Sequence, residues 1–223
     1  MLAQTLMTIL LGLFLLAPTV DGQCQCPADR GTIVFNHQFP SGPEIIVCGF
    51  RSFGNVFNAI EIINCQNNHV LYSCESDESC GEGFYDFFSF KLSNGGIVVG
   101  QLVNLPCLKD WEWKLVPFHE RTISFKDGSV AISDWREVFS LPPMSPGVQN
   151  AFIDAYERDF KTVESSVDPG NIPFRLLVCT LHGIPRAELL LINFGHDHPE
   201  HYDGAVSEAH QYCLDFYFKI LKK

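Results

Sequence analysis

The segment from Phe84 to Leu102 constrains this chain more than any other. It reads FYDFFSFKL, then Ser93-Asn94-Gly95-Gly96, then IVVGQL. Asn-Gly between two apolar runs is the strongest short-range signal for a β-hairpin, and it predicts a type I′ turn with positive φ at both central residues. Phe88, Phe90 and Leu92 share one parity while Ser89 and Lys91 share the other, the period-two pattern of a half-buried strand. A chain built around this hairpin needs more strands to pair with it and more apolar surface to cover it.

The sequence up to Trp135 supplies both. Thr32–Phe35 and Glu44–Phe50 are β-branched or aromatic runs, and Val56–Cys65 is apolar on both parities, which suits a strand covered on two faces. Val70-Leu71-Tyr72 follows a turn at Asn67-Asn68. Trp111, Trp113 and Leu115 alternate with Glu112, Lys114 and Val116, which predicts a strand whose tryptophans fill the core. His119-Glu120-Arg121 reads as a charged connection leading to a second hairpin, Ile123–Phe125, Asp127-Gly128 and Val130–Ile132. Short strands separated by turn residues argue for an antiparallel β-sandwich or an open barrel.

At Leu141 the pattern changes. Pro142-Pro143-Met144-Ser145-Pro146 reads as a linker ending in a helix start, with Ser145 as N-cap and Pro146 in the first turn. Val148, Phe152, Ala155 and Tyr156 repeat at helical spacing to about Phe160, and a polar stretch follows to Asn171. Pro173–His182 and Arg186–Phe194, punctuated by Gly183 and Gly195, predict two short helices. The last is an amphipathic helix with Ala205, Ala209, Tyr212, Cys213, Phe216 and Ile220 on its apolar stripe and Asp203 at its start. Strands first and helices afterwards make the fold α+β. The expected organisation is a signal peptide over 1–22, a β-sandwich domain over 23–140, and a helical segment over 141–223 packed on the sandwich or forming a small bundle.

Leu6–Ala17 is the basis of the first of these. It is uncharged, apolar and of signal-peptide length, with Val20 and Gly22 suited to cleavage before Gln23. It places the mature protein outside the cytoplasm, secreted or periplasmic, with no membrane insertion after cleavage. All 9 cysteines follow that point, and in an oxidising compartment several should be paired. Cys74 and Cys80 flank the acidic tip Glu75-Ser76-Asp77-Glu78 and could close a small loop, and the expected partner of Cys179, if it has one, is Cys213. An odd count leaves at least one cysteine unpaired. Cys24-x-Cys26 lacks the spacing and the second pair of a zinc site. A net charge of −11 with no basic run repels phosphate backbones and anionic lipid, so nucleic acid is an unfavourable partner.

Chemistry is harder to find. There is no Gly-x-Ser-x-Gly, no His-Glu-x-x-His, no phosphate-cradling glycine loop and no dinucleotide fingerprint. The densest cluster of candidate ligands is His196-Asp197-His198-Pro199-Glu200-His201-Tyr202-Asp203. Imidazole is the commonest transition-metal ligand, so His196, His198 and His201, with Asp203 or Glu200, form a candidate site for a divalent transition metal. The competing reading is a solvated loop between helices. Glu75, Asp77, Glu78 and Glu82 offer carboxylate oxygen for calcium, without the glycine that an EF-hand loop needs. These observations lead to an exported, non-catalytic protein that binds another protein or a cell-surface component. The alternatives are a metal-binding protein using the His196–His201 loop and an extracellular hydrolase with a carboxylate pair, which leaves no motif behind.

Overall fold

The computed structural model describes residues 24–27, 31–39, 42–50, 56–75, 87–126 and 129–221. The expected signal segment, residues 76–80 of the acidic tip, the Asp127-Gly128 turn and Lys222-Lys223 lie outside the described residues. Within them the chain is α+β: two antiparallel sheets come first and helices follow.

The first sheet has the order β1(Thr32–Gln38), β2(Glu44–Phe50), β3(Ala59–Asn64) and β4(His69–Glu75). The second runs β5(Phe87–Ser93), β6(Gly96–Pro106), β7(Trp113–Lys126) and β8(Ser129–Ile132), with the short β9(Arg136–Glu137) also on β7. β5 and β6 form the expected hairpin, Phe87 opposite Leu102 and Ser93 opposite Gly96. Only Gly95 has positive φ in its turn (102°), so the connection follows the type II pattern rather than type I′.

The two sheets face each other. Ile45, Val47, Ile60 and Ile62 from the first meet Phe88, Ile97, Val99, Ile123 and Phe125 from the second in one core. Phe57 links their corner by exchanging backbone hydrogen bonds with Phe88 (2.9 and 2.6 Å). The sheets do not close into a barrel. β2 is apolar on both parities because its second face is also covered: Ile46, Cys48, Phe50 and Ile63 pack with Cys24, Cys26 and Cys65. Disulfides Cys24–Cys65 and Cys26–Cys48 hold this layer. Closing loops of this length is worth about 3–4 kcal/mol each in a chain-entropy account. Cys74 is also disulfide-bonded, while Cys107, Cys179 and Cys213 are free and buried. The expected Cys179–Cys213 pairing is therefore not made.

β7 corrects the reading of its sequence. The expected second hairpin is present as β7–β8, but the tryptophan strand, the charged connection and the first arm of that hairpin run as one strand of 14 residues. Its register slips opposite Gln101/Leu102, where His119 faces Gln101 and Pro117 faces Leu102, leaving Phe118 as the extra residue of a bulge. Pro117 is tolerated because a bulge does not need its missing N–H. The bulge also reverses parity. Beyond it Ile123 and Phe125 point inward; before it Val116 and Phe118 do. Trp113 is thereby turned outward and is 40% exposed, contrary to the expected core position. It packs edge-on against Phe174, while Trp111 lies against Phe152.

Five α-helices complete the chain: α1(Pro146–Arg158), α2(Phe160–Ser166), α3(Ile172–Leu181), α4(Pro185–Asp197) and α5(Gly204–Leu221). Their apolar faces share a core with Val103, Leu105, Cys107, Val116 and Phe118, so one end of the β6–β7 ribbon serves the helices as the other serves the sandwich. Ser145 stands at the α1 N-cap, where its carbonyl accepts from Val148 N and Gln149 N and its side chain makes no cap bond. Helix α2 occupies part of the stretch read as a polar spacer; it starts at Asp159, whose carboxylate accepts from the Thr162 hydroxyl (2.5 Å), and it buries Val163. Gly195 does not end α4. It lies beneath the Tyr202 ring, 2.7 Å from where a Cβ would sit, so it is there for close approach. On α5 the buried face is His210, Cys213, Phe216 and Tyr217, and Ala205 is exposed, which rotates the expected stripe.

Candidate ligand-binding cleft

The charged triplet in the middle of β7 contributes Glu120 and Arg121 to the lining of a surface cleft. β8 pairs with β7 over residues 123–126 and β9 pairs over 119–120, so the intervening Ser133–Trp135 must leave the sheet and return. Ser133 clasps this detour: its N–H donates to the Thr122 carbonyl and its hydroxyl accepts from the Thr122 N–H, both at 2.9 Å. Between the detour and the sheet lies a cleft of about 500 Å³. Val98 and Thr122 line it together with Glu120 and Arg121, and Asp134, Trp135 and Arg136 form the opposite side.

Alternation on β7 sends Glu120 and Arg121 to opposite faces. Glu120 joins Lys91 (3.1 Å) and Arg136 (3.3 Å) in an exposed ion network across three strands. Such pairs are worth at most about 1 kcal/mol each, so this network orients side chains more than it stabilises the fold. Arg121 shares its parity with Ile123 and points toward the sandwich interior. Its guanidinium lies over the Trp135 ring at 4.0 Å, and its buried Nε makes no hydrogen bond. Beside it is the buried Tyr72 hydroxyl, whose polar neighbour is the Arg121 side chain. Burial raises the Tyr72 pKa, with the Arg121 charge pulling the other way. Behind Arg121, at the bulge, the buried Gln101 side chain meets His119. Chemically the cleft offers donors, two opposed pairs of charges and an aromatic face, the mixture that orients a small polar ligand.

The residues expected to hold a metal lie elsewhere. His196 is exposed and contacts its neighbour Asp197 (3.0 Å). His198 stacks flat on Phe160, with ring centroids 3.6 Å apart and planes at 15°, and has Tyr156 and Phe194 on its other sides. The Asp203 carbonyl accepts from Val206 N and Ser207 N at the start of α5. The His201 side chain is outside what the structure describes. Among the described residues, no three His, Cys, Asp or Glu side chains are grouped to hold a metal ion. The loop is anchored by an unforeseen residue: His210 Nε2 donates to the Leu191 carbonyl (2.6 Å), so Nδ1 of the neutral ring accepts from the Tyr202 hydroxyl (3.0 Å).

Sequence reasoning missed the cleft because Pro117 and three consecutive charged side chains read as a strand break. The available signal was the alternation of His119, Arg121, Ile123 and Phe125 against Glu120, Thr122 and Ser124. No helix of the described residues is long and apolar enough to cross a membrane. Comparison with family models, with curated proteins and with solved structures finds no match for this chain.

Proposed function

We propose that this is an exported, non-catalytic binding protein whose ligand, free or displayed on another protein or a cell surface, enters the β7–β9 cleft. The observation that carries this reading is Arg121: a half-buried cation stacked on Trp135, with a buried donor unmade, in the wall of a cavity of ligand size. Export is supported by the apolar Leu6–Ala17 segment and by disulfides of a kind that persist in oxidising compartments. The packed double sheet, its first sheet backed by the disulfides, supplies the frame for the detour that forms the cleft.

A small-molecule screen followed through the three tryptophan indole N–H signals tests the reading. Hits should move the Trp135 signal, and Trp135→Ala should abolish their binding. Hits that leave Trp135 unmoved and bind the variant equally well would refute it. Export is checked independently by N-terminal sequencing of protein recovered outside the cytoplasm, which should begin at Gln23.

A further inference from the structure

We infer that the cleft recognises a monocarboxylate, with Arg121 as the residue that receives it; this rests on the binding reading above. Four charged side chains line the cleft: Glu120, Arg121, Asp134 and Arg136. Glu120 is already matched, by Lys91 and Arg136. Asp134 is exposed, so water weakens its field in the cleft without abolishing it. Arg121 is left as the half-buried charge, and among the described residues no carboxylate lies within ion-pair reach of it. Arg175, over Trp111 and Phe152, is likewise half-buried with an unbonded Nε, but of the two arginines only Arg121 lines the cleft.

Geometry narrows the ligand further. Trp135 covers the face of the Arg121 guanidinium, which leaves its N–H edge to donate in plane. That edge matches the two oxygens of a carboxylate. Arg121 Nε is a buried donor that makes no hydrogen bond, and such an atom costs about 1–3 kcal/mol until something bonds it. A ligand oxygen at the guanidinium removes part of that cost, which a neutral apolar ligand cannot do. Phosphate fits the same fork, but Glu120 and Asp134 repel a dianion more strongly than a monoanion. A single carboxylate on a small, partly apolar body satisfies the cation, the donors and the aromatic wall together.

The test uses the full chain with its disulfides formed and three matched pairs of probes: benzoate and benzamide, hexanoate and hexanamide, glucuronate and glucuronamide. Inorganic phosphate is a further arm. At least one carboxylate should bind and shift the Trp135 indole signal, with its amide weaker by about tenfold or more, as loss of a charge-assisted hydrogen bond requires. Arg121→Gln should remove that preference and Arg121→Lys should keep part of it. Because Arg121 packs on Trp135, Asp134→Asn is the control that spares the fold: it should tighten carboxylate binding about two- to fivefold and leave the amide unchanged. Amides that bind as well as acids at Trp135 would overturn the carboxylate inference and leave the cleft reading standing. Tighter phosphate binding, no effect of Asp134→Asn, or no carboxylate that moves Trp135 at millimolar concentration would also overturn it. Ligands that bind only away from Trp135 would overturn both.

Discussion

Gln101 Oε1 lies 3.3 Å from Nδ1 of His119, at the point where β6 passes from the sandwich core to the helical core. Gln101 is fully buried and shares its parity on β6 with Ile97 and Val99 on one side and Val103 and Leu105 on the other. A polar pair thus sits in an otherwise apolar row, opposite the bulge that reverses the parity of β7. Because each substitution removes the same buried polar contact, Gln101→Leu and His119→Leu should each cost about 1–3 kcal/mol. The double substitution should cost less than their sum, since the shared contact is lost only once. Urea denaturation of the four proteins in a double-mutant cycle measures this, and strict additivity would show that the two side chains act independently.

His210 should make stability depend on pH. Burial lowers its pKa below the ordinary 6.5, with the Leu191 hydrogen bond opposing the shift, and burial lowers that of His182 in the same direction. The unfolded chain then binds protons more readily than the folded one. The stability contributed by the neutral rings is fully present above the unfolded value, falls as pH drops through it, and levels off once the folded rings protonate. Thermal midpoints taken from about pH 8 to pH 5 should fall through that window. His210→Gln should flatten part of the slope, and an unchanged slope would remove His210 as its source.

Gly195→Ala tests the close approach of Tyr202. In an ordinary helix interior this substitution gains up to about 1 kcal/mol. Here the new methyl meets the Tyr202 ring, so a loss of about 1–3 kcal/mol is expected from overpacking. The sign of the change in thermal midpoint decides the matter. Restoring space with Tyr202→Ala in the same chain should make the alanine neutral or favourable.

His198 separates packing from metal ligation. Stacked on Phe160, it should contribute about 0.5–1.5 kcal/mol beyond its buried area, so His198→Ala should lower the unfolding midpoint with or without chelator. His196→Ala, at an exposed position, should leave it unchanged. A stoichiometric transition metal in untagged protein, lost on replacing His196, His198 and His201 together, would instead establish the loop as a metal site.

Much of the architecture could be read before any coordinates, and the reasons are local. An Asn-Gly turn with alternating flanks specifies a hairpin within a few residues, Pro146 and Gly183 mark helix ends from their own backbone chemistry, and β3, within Val56–Cys65, shows its two-sided burial on both parities. The misreadings share a different cause. Trp113 alternates correctly but faces outward because a bulge five residues later reverses parity, and no local pattern announces a bulge opposite a distant strand. Gly195 looks like a helix end because the ring that requires it comes from a residue beyond the helix.

The amino-acid order by itself determined the succession of strands and helices, the central hairpin and the supply of cysteines for disulfides, because turn chemistry and periodicity act over a few bonds. Only the tertiary structure decided which described cysteines pair, where the two cores meet on β6, and that Arg121 comes to rest on Trp135 beside Tyr72. Those outcomes depend on which strands lie side by side, and that is a property of the packed chain rather than of any stretch within it.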